Sequence, residues 1–169
     1  MNKKRMTIQV DTREHDGKNN HVLAYFLSKG AHIVDLKLDV GDYMNYDYPY
    51  VSVDRKQNIY ELIGNITHDH ERFKRELERA QVQGIKLIVL VEEYFSSIYS
   101  LKYWKSRTFN GKPLTKMKGE TVMKILLTMQ KKYGVEFRFC HKEDSGRIIY
   151  EILEKAREEQ CQKSWTIDF

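Results

Sequence analysis

Asp42, Asp54 and Lys56 are spaced so that their side chains could act together on one substrate. Eleven residues separate the two aspartates, and the lysine completes a D-x-K pattern. Two carboxylates within about 5 Å of each other repel, which raises their pKa values unless a cation neutralises them. Mg²⁺ suits such a pair, because it prefers hard oxygen ligands and keeps several waters. The lysine could then hold, or help to deprotonate, a water on the metal for attack on a phosphodiester.

The same residues also allow a purely structural interpretation. Asp54 could form an ion pair with Lys56 or with Arg55. Spacings of this kind arise by chance in a sequence in which 31% of the residues are charged. The pattern alone therefore leaves a metal site and a structural ion pair both open.

The residues around these groups predict the strands that would hold them. Apolar and charged residues alternate over residues 33–40, IVDLKLDV, which predicts a half-buried strand ending near Asp42. If this strand runs past Gly41, Asp42 points to the apolar side, where a carboxylate requires a cation. In VSVDRK the alternation puts Asp54 and Lys56 on one face, just before a helix. The tyrosine-rich run YMNYDYPY would connect the two strands, which can pair as a hairpin.

Periodicity elsewhere predicts alternating strands and helices. Short apolar runs predict strands at MTIQV and VEFRF, and IKLIVLV is typical of a central strand covered on both faces. Apolar residues at helical spacing predict helices at LAYFL, IYELIGNI, HERFKRELERAQ, VMKILLTMQKKY and IIYEILEKA. We therefore expect a single mixed α/β domain over residues 1–169, with its core at about residues 7–156 and a short tail ending in KSWTIDF.

Basic residues are concentrated in a short N-terminal arm, Lys3 to Arg5, and in the segment LKYWKSRTFNGKPLTKMKG, while the net charge is +5. Basic side chains pair with phosphates and aromatic rings stack on unpaired bases, which makes this segment a candidate DNA contact. A solvated loop whose aromatic residues pack inward is the alternative. The candidate DNA-binding residues of the segment are Lys102, Lys105, Arg107, Lys112, Lys116, Lys118 and Trp104.

The two cysteines, Cys140 and Cys161, lack metal-type spacing, which indicates free thiols in a reducing compartment. The sequence has no run of about eighteen apolar residues and no recognisable signal peptide. We therefore expect a cytoplasmic protein, or a nuclear one if the source is eukaryotic, without membrane association.

Several motifs in order resemble the XPF-type structure-specific endonuclease domain of the PD-(D/E)xK superfamily, whose signature is GD followed by ERKxxxD. They are VDTRE, GDY, VDRKQNIYELIGNI, ERFKRELERAQ and IKLIVLVEE, and VEFRFCHKEDSGRIIYEILEKA resembles the closing strand and helix. The resemblance extends from about Thr7 to about Lys155. It implies an α/β fold of the restriction-endonuclease-like kind, a mixed central β-sheet flanked by α-helices.

For the signature residues, the resemblance implies that Asp42 and Asp54 bind the metal and that Lys56 is catalytic. The Arg55 carbonyl would be a further ligand. Asp54 stands where the family usually has glutamate, and Tyr60 stands at the motif's final acid, for which Glu61 could substitute.

For the flanking motifs, the resemblance implies that Asp11 and Glu14 are acidic residues of the catalytic site, with Asp11 as an additional metal ligand. Arg72 matches an arginine near the cleft and, with Arg75, would contact DNA. An ion pair of Arg72 with Glu76 is the alternative for that residue.

The expected activity is that of a Mg²⁺- or Mn²⁺-dependent endodeoxyribonuclease that hydrolyses phosphodiester bonds in branched or flap DNA, in DNA repair or recombination. The chain resembles the nuclease domain without a helix-hairpin-helix or helicase segment, which favours a stand-alone form of the bacterial or phage kind. The resemblance further implies a homodimer. The alternatives are a catalytically silent DNA-binding or scaffold partner, and a resolvase or restriction-type nuclease.

Overall fold

Six strands form one mixed sheet in the computed structural model, which describes residues 5–14 and 17–165, with residues 160–165 described by their backbone alone. Lys3 and Lys4 of the basic arm, the thiol of Cys161 and the end of the tail lie outside the described residues. The strands are β1 (Thr7–Asp11), β2 (His32–Leu36), β3 (Tyr43–Asn45), β4 (Val51–Lys56), β5 (Lys86–Val91) and β8 (Glu136–Phe139), and a separate small hairpin contains β6 (Thr108–Phe109) and β7 (Lys112–Pro113).

The order across the sheet is β2-β1-β3-β4-β5-β8. Strand β3 is antiparallel to both β1 and β4, whereas the remaining pairs are parallel. The parallel pairing of β4 with β5 matches Lys56 with Val91, so both strands end at the same edge.

Helices cover both faces of the sheet, as the sequence predicts. Helices α2 (Ile59–Ile66), α3 (His70–Val82) and α4 (Gly119–Tyr133) cover one face of the sheet, where they pack against buried side chains of β5. Helices α1 (Asn20–Ser28) and α5 (Ser145–Trp165) cover the other face. None of the helices in the described ranges has the length and apolar character needed to cross a bilayer.

Helix α2 begins soon after β4, the strand that carries Asp54 and Lys56, because its first turn is capped. Asn58 Oδ1 accepts a hydrogen bond from the backbone N–H of Glu61 at 3.0 Å, and Glu61 Oε2 accepts one from Gln57 N at 2.8 Å. This reciprocal arrangement satisfies two N–H groups that a helix start leaves without partners. The exposed Glu61 carboxylate is therefore engaged as a helix cap.

The strand predicted over residues 33–40 is wrong in its second half. Strand β2 ends at Leu36, which is 40% exposed, and the buried Leu38 and Val40 lie on an irregular segment beyond it. Leu38 N donates a hydrogen bond to Asp11 Oδ2 at 3.0 Å, so a side chain of β1 replaces a strand partner there. The alternation of apolar residues thus continues through a segment that is not a strand.

Gly41 turns the chain from this segment into β3, a strand within what the sequence suggested was a connection. Its φ of +69° favours glycine, and a Cβ at this position would lie 2.2 Å from Ser52 Oγ. Only a glycine lets the backbone pass so close to β4. The turn places Asp42 at the start of β3 rather than at the end of β2.

Candidate active site

The β3–β4 hairpin brings Asp42 beside Asp54. The backbone N–H of Asp42 donates a hydrogen bond to Val53 O at 2.8 Å, and Asp42 Oδ2 accepts one from Arg55 N at 2.7 Å. Asp54 and Lys56 lie on β4, on the face that packs with α2, α3 and α4. The sequence prediction that these residues share one site therefore agrees with their positions.

Lys56 forms an ion pair with Asp54. Its Nζ donates a hydrogen bond to Asp54 Oδ1 at 3.1 Å and lies 2.9 Å from Oδ2, and both residues are buried. Although Oδ2 is close to the ammonium, it receives no well-aligned hydrogen bond from the described residues. Both interpretations of the D-x-K pattern are therefore compatible with the structure. The ion pair exists, and Oδ2 of Asp54 can still bind a ligand.

The charges in this cluster are unequally compensated. Burial, followed by the negative charges of Asp54 and Glu14, holds the pKa of Asp42 well above its ordinary value. Burial opposes the charged form of Lys56, but the carboxylates of Asp54 and Asp42 outweigh it, so the pKa of Lys56 is raised. Lys56 is therefore an ammonium at neutral pH, and the pair of aspartates retains a demand for positive charge.

Glu76, which the sequence reasoning considered only as a partner of Arg72, also belongs to this cluster. Its Oε1 accepts a hydrogen bond from Gly41 N at 2.9 Å. Burial and the charge of Asp54 raise the pKa of Glu76. An acidic residue next to Leu77, at the edge of the apolar stripe of α3, was the available signal. Arg72 lies 3.6 Å from Asp69 instead.

The carboxylate of Asp11 is occupied by hydrogen bonds from Arg13 and Leu38. Its Oδ1 accepts hydrogen bonds from Arg13 N and Nε, both at 2.8 Å. Its Oδ2 accepts one from Arg13 at 2.7 Å and one from Leu38 N at 3.0 Å. Burial would raise the pKa of Asp11, but these hydrogen bonds lower it overall. Four bonds use all the acceptor positions of a carboxylate, so the structure does not bring Asp11 into a ligand set with Asp42 and Asp54.

Glu14 and the Arg55 side chain lie on the other side of β4 from Asp54. The buried guanidinium contacts Glu14 Oε2 at 2.9 Å and Glu92 Oε2 at 3.0 Å. Glu92 Oε1 also accepts a hydrogen bond from Ser145 Oγ at 2.7 Å and lies 2.5 Å from His21 Nε2. This network joins α1, β4 and α5, so Glu14 supports the site strand rather than facing Asp54.

The donor chemistry at Asp42 and Asp54 fits a hard divalent cation. Among the side chains of residues 5–14 and 17–159, no three His, Cys, Asp or Glu residues are arranged to hold a metal ion. Mg²⁺ does not need such a cage, because it is often bound by one or two carboxylates and completed by waters. The two aspartates provide that minimum, and burial, followed by the charges of Asp54 and Glu14, raises the pKa of Asp42, so the site is short of positive charge.

The predicted DNA contacts lie at the surface, with one exception. Trp104 packs against the core beside α2, where its ring centroid is 5.5 Å from that of Tyr60. The inward-packing alternative is therefore correct for this aromatic residue. The exposed basic residues are Lys102, Lys105, Arg107, Lys112, Lys116 and Lys118, together with Arg72 and Arg75 on α3.

Comparisons with known proteins agree with this fold. The family model described as the ERCC4 domain matches residues 10–152. The solved structure of XPF from Aeropyrum pernix matches with a TM-score of 0.61 at 15% identity, over 89% of this chain and 61% of that chain. A second structure, of XPF from Aeropyrum pernix in complex with DNA, matches with a TM-score of 0.63 at 15% identity, over 92% of this chain and 66% of that one. This chain thus spans less than two thirds of the solved chains, and a search of curated proteins gave no match.

Proposed function

The chain belongs to the ERCC4 domain family, and from this membership and the geometry of the cleft we propose that it is a metal-dependent endonuclease for branched or flap DNA. The observation that carries the proposal is the cluster of Asp42, Asp54 and Lys56 at the end of the β3–β4 hairpin. Burial and the charges of Asp54 and Glu14 raise the pKa of Asp42, so its ionised form reduces stability, and its presence in a cleft favours a catalytic role.

Asp42 and Asp54 would hold Mg²⁺ or Mn²⁺, and the carbonyl of Arg55 remains a predicted further ligand. Glu76 would act through a water, since its Oε1 already accepts the N–H of Gly41. A bound divalent cation supplies Lewis-acid polarisation of the phosphodiester and lowers the pKa of water.

Lys56 acts as a hydrogen-bond donor in this proposal, whereas the sequence suggested that it holds a metal-bound water or helps to deprotonate it. The carboxylates of Asp54 and Asp42 favour the protonated form of Lys56, and an ammonium donates hydrogen bonds. When positive charge is supplied to Asp54, the ammonium becomes free to donate to an oxygen of the phosphate. It would then stabilise the negative charge that develops during hydrolysis.

Exposed basic residues near the cleft support DNA as the substrate. The segment between Glu93 and Glu120 contains no acidic residue, and its lysines and arginine are exposed. Arg72 and Arg75 add positive charge on α3, the helix that carries Glu76. Such a surface suits the phosphate backbone of DNA and steers it toward the acidic cleft.

A cleavage assay tests the proposal. End-labelled flap, fork and linear duplex DNA would be incubated with the protein in Mg²⁺, Mn²⁺ or EDTA. We expect metal-dependent cutting of the branched substrates, abolished in Asp42→Asn and Lys56→Ala and retained in Asp39→Asn, an exposed aspartate on the same segment. Binding without cleavage in every metal would reject the endonuclease and favour a silent DNA-binding partner. Cutting of linear duplex at one sequence would favour a restriction-type enzyme.

A homodimer and a role in DNA repair or recombination remain part of the proposal. An open groove between α5 and strands β5 and β8 supports the dimer, because apolar Ile88, Leu90 and Ile152 line it and charged residues surround it. Light scattering tests the dimer directly, and a monomer mass at working concentrations would reject it.

A further inference from the structure

The basic segment folds into a regular, protruding structure that the proposed chemistry does not use. We define the basic hairpin as residues 105–116, which include β6 and β7. Thr108 pairs with Pro113 and Phe109 pairs with Lys112. Asn110 and Gly111 at the tip both have positive φ, 49° and 73°, as a tight two-residue hairpin turn requires.

Tyr60 fixes the base of the basic hairpin to α2. Its hydroxyl oxygen accepts a hydrogen bond from the backbone N–H of Arg107 at 2.7 Å. The guanidinium of Arg107 lies 5.8 Å from the centroid of the Tyr60 ring, and Trp104 packs against the same ring. Within the hairpin, Leu114 N donates to Arg107 O at 2.9 Å. The hairpin is therefore held in a defined orientation.

The anchor lies close to the catalytic cluster along the chain. Tyr60 is in the first turn of α2, four residues after Lys56. At the end of β5, the chain that leads to the hairpin donates a hydrogen bond from Glu92 N to Lys56 O at 2.8 Å. The Tyr60 anchor follows the end of β4, and the chain that leads to the hairpin follows the end of β5. Both therefore start at the strand ends near Asp54 and Lys56. Tyr60 stands where the family motif has its final acidic residue. In this chain that position anchors the hairpin, which accounts for the departure from the motif.

Exposed aromatic residues accompany the positive charge. Phe109 is 70% exposed and Tyr103 is 79% exposed, although neither is needed for the core. Phe109 lies beside Lys112 across the hairpin, and the exposed Arg107 immediately precedes β6. Aromatic rings interleaved with basic side chains bind unpaired nucleotides, because bases stack on the rings while phosphates pair with the charges.

We propose that the basic hairpin contacts an unpaired strand of DNA, with Phe109 stacking on a base, Lys112 pairing with phosphate and Tyr60 positioning the hairpin. Double-stranded DNA does not offer the same contact, because its bases are already stacked. The inference deepens the proposed function and rests on it, since it names the feature of branched DNA that this surface recognises.

Fluorescence anisotropy in EDTA tests the contact without cleavage. The probes are a labelled single strand of about 15 nucleotides and a labelled duplex of the same length. We expect Phe109→Ala to raise the Kd for the single strand roughly tenfold, the loss of one stacked base, and to leave the Kd for the duplex unchanged. Lys112→Ala is expected to weaken single-strand binding and to reduce its salt dependence by about 0.7 in the log–log slope. The matched control is Tyr50→Ala, which removes a 50% exposed aromatic residue just before the start of β4, at the opposite end of that strand from Lys56.

Tyr60→Phe tests the anchor, because it keeps the ring but removes the hydroxyl that accepts the N–H of Arg107. We expect weaker single-strand binding with an unchanged melting temperature, which separates positioning from a general loss of folding. Phe109 is exposed, so Phe109→Ala should also melt as the wild type does.

The result that overturns the inference is a Kd of Phe109→Ala for the single strand equal to that of the wild type, or an equal loss for both probes. Absence of any single-strand binding by the wild type overturns it as well. Single-strand binding that depends on Phe109, with no cleavage in any metal, supports the hairpin contact and rejects the nuclease. If Phe109→Ala binds and cleaves flaps as the wild type does, the result supports the nuclease and rejects the hairpin contact.

Discussion

The backbone N–H of Arg55 donates a hydrogen bond of 2.7 Å to Asp42 Oδ2, so the strand that carries Asp54 also holds the second aspartate in place. A hydrogen bond to a carboxylate favours its charged form, yet burial and nearby acids still raise the pKa of Asp42. The fold thus fixes an acid in a position where the acid reduces the stability of the protein.

Asp42→Asn should abolish the proposed cleavage and stabilise the fold by about 1 kcal/mol at neutral pH. The asparagine keeps an oxygen for the N–H of Arg55 but removes the repelled charge. Because the pKa of Asp42 is raised in the folded state, the wild type loses stability as pH rises from about 3.8 through that raised pKa. The advantage of the variant should therefore shrink in acid. Urea unfolding at acidic and mildly alkaline pH measures it, and a variant less stable than the wild type at both would contradict the assignment.

Lys56→Met should destabilise the protein by about 3 kcal/mol, because Asp54 would remain buried without its partner. The double variant Asp54→Asn/Lys56→Met removes both charges and should recover most of that stability. Urea unfolding of the two single variants, the double variant and the wild type forms the thermodynamic cycle. Additive effects of the two substitutions would show that the ion pair contributes no coupling.

Glu76→Gln should raise the Mg²⁺ concentration for half-maximal cleavage by roughly tenfold, the effect expected of a residue that supports metal ligands. Glutamine can still accept the N–H of Gly41, so the melting temperature should change little. Glu78→Gln on the exposed face of the same helix serves as the control. An unchanged Mg²⁺ requirement in Glu76→Gln would remove this residue from the site.

Asp11→Asn should reduce stability by roughly 2 kcal/mol at neutral pH, since Asp11 accepts four hydrogen bonds in a buried position. The pKa of Asp11 is lowered, so its contribution is present above about pH 3.8 and is lost as pH falls through the lowered value. The Mg²⁺ requirement of the folded variant should equal that of the wild type. A raised requirement would restore the sequence-based assignment of Asp11 as a ligand.

Glu92→Gln should destabilise the protein by about 3 kcal/mol, because it leaves the buried Arg55 guanidinium with Glu14 as its remaining anionic partner. Glu136→Gln is the comparison, since it breaks more exposed pairs with Lys86 and Arg138 and should change stability by less than about 1 kcal/mol. Thermal unfolding of both variants provides the measurement. Equal losses would show that burial of the Arg55 network adds nothing.

Local pattern predicted the elements that have one strong periodicity. The alternation in VSVDRK correctly placed Asp54 and Lys56 on one face, and the helical spacing of Ile59, Leu62 and Ile63 predicted α2. Alternation failed at Leu38 and Val40, which are buried in an irregular segment where Asp11 accepts the N–H of Leu38 and Ser52 Oγ donates to the carbonyl of Val40. Burial alone produces the same pattern in a loop as in a strand.

Contacts between distant parts of the chain could not be predicted in the same way. Glu76 reaches the cluster through Gly41, and although its position beside Leu77 indicated partial burial, the sequence did not indicate that α3 packs against Gly41. Trp104 packs inward because Tyr60 of α2 provides an aromatic partner. Composition alone allowed either orientation.

The alternation of side chains along β4 separates DRK into two kinds of evolutionary constraint. Asp54 and Lys56 face the proposed catalytic cleft, while Arg55 between them joins Glu14 and Glu92 in a network that supports the fold. A descendant that abandons catalysis is therefore free to exchange the outer two residues together, but it must retain the arginine. Degenerate members of such a lineage should be recognisable by a solitary arginine in this strand, accompanied by both glutamates.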